Sequence, residues 1–492
     1  MKKNVNILWI LLGCVLLTFF GCTKGFIEAN TNPNISEKAL PQSLLAPAIT
    51  KAVKFNLGIT QTINGELVQV HTDGTSVAFR VFRYQLADNL PTAPYNNWFL
   101  QVANFRDVYA QAGERLIINT QETYNQTYQG IALIMEAWLI SLITDTFGDI
   151  PYFDAGKAKE QIFLPAFDEQ SAIYADLFAK LEEANELLKG GYDLPAELSF
   201  SDPVYHGDAL AWRKFGNSLY LRLLMRVSSV EGAGASSRIN RIAVAESADY
   251  PLIVSPGESA VLRWTGSIPY DSPYDPSNTT DFYWTRFKLT EFFLDNLLEW
   301  NDPRIEKWAT RVGGEYVGVP GGYPLGFEPG AASILHRTLQ RETLTGNIMN
   351  HSEVQFILAE AAAKGYISAS DVQFYQAGIA SNMEMWGVEM PEGYLEQPAV
   401  AFDAGASLEE KMEKIHLQKY YALLLTDLQQ WFEIRRTGYP VLPVGAGHEN
   451  NGIMPSRLAY PTYLYNTNRE NLDVAIGRQG PDDINTKVWW QR

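Results

Sequence analysis

The apolar positions of this chain fall mainly at helical spacing. From Ile131 to Ile143 in "GIALIMEAWLISLITDTFGDIPY" nearly every side is apolar, and the pattern stops at Gly148 and Pro151. A run that short cannot cross a bilayer, so it predicts a helix buried on all faces. The next segment predicts an amphipathic helix with Asp168 as N-cap, Ile173, Leu177, Leu181 and Leu188 on its inner face, and a stop at Gly190-Gly191. Asp208 caps a further helix. Another ends at Gly365, Ser370 and Gln373 form a capping box opening the next, and Ser407 with Glu410 opens a helix running to Gly438 and Pro440. Trp212, Phe215, Gly216 and Leu219 fit the first helix of a tetratricopeptide unit, in which a small residue admits the partner helix.

Between residues 251 and 335 this periodicity is lost. In "RVGGEYVGVPGGYPLGFEPG", residues 311–330, seven Gly and three Pro exclude a regular helix. Long loops inside a domain are uncommon and usually functional. The expected architecture is mainly α: a tetratricopeptide-like helical-repeat scaffold over residues 41–492, one domain, with a loop-rich irregular lobe around 251–335.

The first residues form a separate unit. Lys2 and Lys3 precede an apolar stretch from Ile7 to Phe20, too short to span a membrane, and Gly21 stands directly before Cys22. This reads as a bacterial lipoprotein leader, residues 1–21, with acylation at Cys22 and a lipidated tether over 22–40. The alternatives are "LLGC" ending at Cys14 and an ordinary secreted protein. Two or more acyl chains would make a lasting anchor. With two cysteines in all and one of them in the leader, no disulfide is expected within the mature chain.

Charge narrows the partners. There are 39 Lys and Arg against 56 Asp and Glu, a net charge of −17, and loss of Lys2 and Lys3 makes the mature chain more acidic still. No basic run exists to release counterions, which excludes nucleic acid. The familiar catalytic motifs, G-x-S-x-G, the phosphate loop and H-E-x-x-H, are absent, and His71, His206, His336, His351, His416 and His448 are not spaced as local metal ligands. Glu136 within the apolar helix, with Asp145 and Asp149 at its end, could serve a glycosidase as paired carboxylates. The plainer reading pairs Glu136 with an arginine and has the aspartates tie down a turn. Asp271, Asp275, Asn278 and Asp281 could supply oxygens to calcium, without EF-hand spacing; no other cofactor or metal is expected.

Aromatic loops are the better clue. Sugar rings stack on flat aromatic faces while their hydroxyls bond to Asn, Asp and Arg. Trp264, Tyr270, Tyr274, Tyr283, Trp284, Tyr316 and Tyr323 lie among such partners and are the candidate ligand-binding residues, with core packing as the competing reading of each.

Several segments together resemble the SusD/RagB family, the SusD-like nutrient-binding lipoproteins of starch-utilisation-type systems. They are "FIEANTNPN" after Cys22, "EAWLISLITDTFGDIPY", "NDPRIEKW", "EVQFILAEAAAKGY", "QKYYALLLTDLQQWFEIRRTGYP", "MPSRLAYP" and "KVWW". The resemblance implies a palmitate-bearing lipoprotein on the cell face of the outer membrane. It also implies a SusC-like TonB-dependent outer-membrane transporter as partner, an oligosaccharide ligand and no enzymatic activity. A peptide ligand, a glycoside hydrolase and a helical scaffold without small ligand are the alternatives.

Overall fold

The computed structural model describes residues 39–75, 80–118 and 122–492. The leader, Cys14, Cys22 and the tether up to residue 38 lie outside the described residues. At the centre of the unit Pro41–Arg492 is the apolar helix anticipated above, Asn125–Phe147 (α3), preceded by Pro41–Ile59 (α1) and Thr92–Ile118 (α2). Every residue of α3 except Gln126 is buried. It is long and apolar enough to cross a membrane by composition, but burial inside the protein identifies it as a core helix. Gln170–Lys189 (α4) and Ala209–Arg226 (α5) follow, and α2 to α5 pack on one another in sequence, with α5 folding back on α3. That return depends on Gly216, where a Cβ would stand 2.7 Å from Ile134 of α3.

The second half contains Glu291–Glu299 (α6), His351–Ala363 (α7), Asp371–Met385 (α8), Leu408–Ala422 (α9), Gln429–Thr437 (α10) and Arg469–Gln479 (α11). Helices α7 and α8 pair, and α9 packs on both. A buried ion pair joins the halves, Arg222 of α5 donating from Nε to Glu353 of α7 at 2.6 Å, and another ties the second half together, Arg436 of α10 donating to both oxygens of Glu360 of α7 at 2.7 and 2.6 Å. Losing one partner of such a pair strands a charge in the interior, which costs about 3–5 kcal/mol.

Three local expectations are corrected. Asp168 is not the cap of α4: its carboxylate accepts from the amides of Tyr152 and Phe153, and Asp149 reaches over to accept from the Gln170 amide at 2.9 Å. Ser370 caps α8 by accepting from the Gln373 amide; of the two boxes expected, the full reciprocal one forms at Ser407 and Glu410. The stretch read as one helix to Gly438 is two. The chain turns between α9 and α10 with φ of 63° at Leu425 and 31° at Asp427, and the buried Asp427 carboxylate accepts from the Leu428 amide, Gln429 Nε2 and Trp138 Nε1 at 2.6, 2.8 and 3.1 Å. Neither Gly nor Pro marks that break.

The irregular lobe is held by backbone bonds. Strands His71–Asp73 (β1) and Phe287–Leu289 (β3) pair antiparallel, His71 opposite Leu289, as do Ala260–Val261 (β2) and Asn347–Met349 (β4). From Ala309 to His336 there is no helix. Leu289 of β3 exchanges bonds with this stretch instead: Leu289 N donates to Ser333 O at 2.8 Å and Val319 N to Leu289 O at 3.0 Å. Its middle, around residues 321–324, lies directly on the loop 445–447. A Cβ on Gly445 would come within 1.9 Å of Gly321 O, and one on Gly447 within 2.3 Å of Tyr323 O, so only glycine permits this apposition.

The C-terminal segment closes the N-terminal half. Leu458 N donates to Thr146 O at 3.0 Å, Trp489 N to Gln170 Oε1 at 2.9 Å and Trp490 Nε1 to the buried Asp145 carboxylate at 2.7 Å.

Candidate functional site

The short helical turn Phe282–Thr285 separates the candidate aromatics. Trp284 points inward, and its indole donates to Leu335 O at 2.8 Å, while Tyr274 meets it edge-on. Trp264 likewise donates to Thr345 Oγ1 at 2.9 Å. Both tryptophans are 2 % exposed. Tyr323 is buried between Phe82 and Phe327. These four side chains pack the interior, so a ligand has no access to their ring faces in this conformation.

Three candidates remain accessible, in two places. Tyr270 lies on a hairpin beside α1, next to the exposed Phe200 and Ile268 in an apolar cleft of about 450 Å³. The turn carrying Tyr283 and the strand leading to Tyr316 are both tied to the segment 334–336, which runs into the helical turn Arg337–Gln340. On one side Trp284 is anchored to Leu335 and Asp281 is ion-paired with Arg337, which fixes the turn carrying Tyr283. On the other, Ala309 bridges Leu335, and Thr310 N donates to Ile334 O at 3.0 Å, which fixes the strand leading to Tyr316. Arg311 lies over the Tyr316 ring, 4.2 Å from its centroid, and pairs with Glu306. Burial and the nearby Glu306 push the Tyr316 hydroxyl up to about 12, so it stays protonated.

The resulting strip carries flat rings beside two arginine–carboxylate pairs. Phe282, missed in the sequence, belongs to it: it is 54 % exposed and Tyr283 52 %. The run "FYW" hinted at it, but only the turn geometry shows that two of the three rings face outward. Arg337, exposed and invisible as a site residue in the sequence, supplies the polar edge.

The other candidate groups are engaged in structure. Lys54 donates to Asp271 at 2.6 Å and Asn278 donates to the same carboxylate; Arg341 donates to both Asp275 oxygens at 3.1 Å; Arg337 pairs with Asp281. Asp275 is held down at about 2, chiefly by the Arg341 bond. A calcium ion would compete with a protein cation at each carboxylate. Glu136 accepts from Arg106 at 2.8 Å, Asp145 from Tyr174 and Trp490 at 2.7 Å, and Asp149 from Arg478 and the Gln170 amide. Glu360, His416 and Glu433 bring ligand atoms within 4.8 Å of one another. Arg436 and Lys419 already compensate these two glutamates, which makes the trio an ion-pair network.

The family model described as SusD-like, starch-binding and associating with the outer membrane, matches residues 33–461. The chain belongs to the SusD-like family. Its helical fold is shared with solved structures. A SusD homologue of Bacteroides fragilis matches with TM-score 0.78 and 24 % identity, over 92 % of this chain and 100 % of the other. A chitin-binding SusD homologue of Flavobacterium johnsoniae matches with TM-score 0.78 and 22 % identity, over 92 % and 98 %. A SusD-like protein of Bacteroides thetaiotaomicron gives 0.75 and 22 %, over 92 % and 98 %. No curated protein matches the chain. As a SusD-like protein it belongs among carbohydrate- and nutrient-binding proteins of the outer membrane.

Proposed function

We propose that this SusD-like protein captures an oligosaccharide on the strip bearing Phe282, Tyr283 and Tyr316 and hands it unaltered to a TonB-dependent transporter. A lipid anchor at Cys22 would hold it at the cell surface. The observation that carries the ligand reading is the exposure of the Phe282 and Tyr283 rings beside the Asp281–Arg337 ion pair. The rings offer apolar faces to sugar C–H groups, and the guanidinium and carboxylate offer bonds to adjacent hydroxyls. Asp281 and Glu306 are each tied to an arginine, which supports capture without chemistry.

Calorimetric titration with soluble chitin fragments, starch fragments and other oligosaccharides tests this. Tyr283→Ala and Arg337→Ala should each weaken the bound sugar about tenfold or more, since a stacked ring or a charge-assisted bond contributes ~1–3 kcal/mol. Unchanged affinity in both variants would sink the strip as the ligand site.

A further inference from the structure

Two clefts away from the strip adjoin each other at Ala155 and Gly156, in the connection between α3 and α4. The first, about 670 Å³, is apolar, with Phe99 and Leu100 of α2 on one wall and Phe163 and Leu164 of the connection on the other. Its side chains are unusually open to solvent: Phe163 is 71 % exposed, Leu164 61 % and Leu100 58 %. Contiguous exposed apolar surface of this kind marks an interaction site.

The second cleft, about 490 Å³, continues along α2 and is lined by charged groups from α2, α3 and α4. Its cations are consumed internally. Arg106 donates to Glu136, Ala155 O and Tyr152 O, Lys180 stands 3.7 Å from both Glu136 and Asp176, and Lys157 is paired with Asp154. Two exposed carboxylates have no such compensation. Glu183 accepts from the Tyr109 hydroxyl at 2.6 Å, and Asp107 has neither hydrogen bond nor ion pair among the described residues. The bond to Glu183, with some burial, pushes Tyr109 up to about 12, so the hydroxyl remains a donor and leaves the negative charge in place.

We propose that this two-part groove seats an extended segment of a protein partner, one with a bulky apolar pair followed within a few residues by Lys or Arg. The apolar pair lies between Leu100 and Phe163, and the cation meets Asp107 and Glu183. The surplus negative charge disfavours an anionic lipid headgroup, and the leucine and phenylalanine walls offer few bonds to a sugar. The groove stands on its own residues; only the identification of the partner as the transporter rests on the function proposed above.

The test is photo-crosslinking in cells with the full chain carrying p-benzoylphenylalanine at position 163 or at position 100. Both positions should label the same peptide of one protein, with Lys or Arg close to its apolar pair. Asp107→Lys combined with Glu183→Lys should lower the yield about tenfold, while Asp473→Lys on α11 should not. An unchanged melting temperature for the double variant excludes misfolding. Adducts to lipid or glycan, different peptides at the two positions, or a yield indifferent to the charge reversal would overturn the inference. A shared peptide from a protein other than a barrel would uphold the groove and instead remove the transporter from the proposed function.

Discussion

Trp284 and Tyr283 are neighbours with opposite fates. The indole is buried with its N–H bonded to Leu335, while the phenol ring next to it faces solvent. Replacing Trp284 with Ala should therefore lower stability by about 3–5 kcal/mol through the cavity left behind. Tyr283→Ala should change it by no more than about 0.5 kcal/mol. Chemical denaturation of the two variants measures the contrast, and equal losses would place Tyr283 in the core. The sequence marked both residues as candidates because the irregular segment has no period from which inside and outside can be told apart. In the regular helices that period exists, and Ile173, Leu177, Leu181 and Leu188 of α4 are all buried as their spacing predicts.

Between elements, legibility depended on what ends them. Gly148, Gly190 and Gly438 ended their helices visibly, with Gly148 and Gly438 at positive φ. The break before α10 was hidden in part because one of the bonds that hold it, Trp138 donating to Asp427, spans 289 residues of sequence. The contact between the loops at 321–323 and 445–447 was hidden for the same reason. There the backbones meet with no space for a Cβ, so Gly445→Ala should force the loops apart and cost about 1–3 kcal/mol. A thermal midpoint unchanged from wild type would show that the loops separate freely. That packing matters to the strip, since the same irregular stretch continues from Gly321 to Arg337.

For the molecule as a whole, buried ionisable groups set a pH range. Burial, reinforced by Asp73, pushes Glu66 from 4.5 up to about 8. The folded state thus holds a proton that the unfolded state releases, and the stabilisation present below pH 4.5 is lost as pH rises toward 8. Burial lowers His71 and His351 from 6.5 to about 4 and His416 to about 3. The unfolded chain takes up those protons first, so their contribution is present above pH 6.5 and falls away on acidification. Glu66→Gln should keep the acid loss and flatten the alkaline one, by up to about 1.4 kcal/mol per pH unit. Melting curves from pH 4 to 8 check this; parallel profiles for wild type and variant would show that Glu66 ionises normally.

The closure of α3 by the last residues also bears on when the chain can fold. Asp145 near the end of α3 waits for Trp490, 345 residues later, and Thr146 for Leu458. A nascent chain lacking its final stretch therefore has its most apolar helix unsealed, with a carboxylate deprived of a donor in the interior. The native covering of this helix end is complete only once residues 458–490 are in place. The last residues of the chain thus act as the seal on its most apolar helix, and truncation there would expose that helix rather than trim a tail.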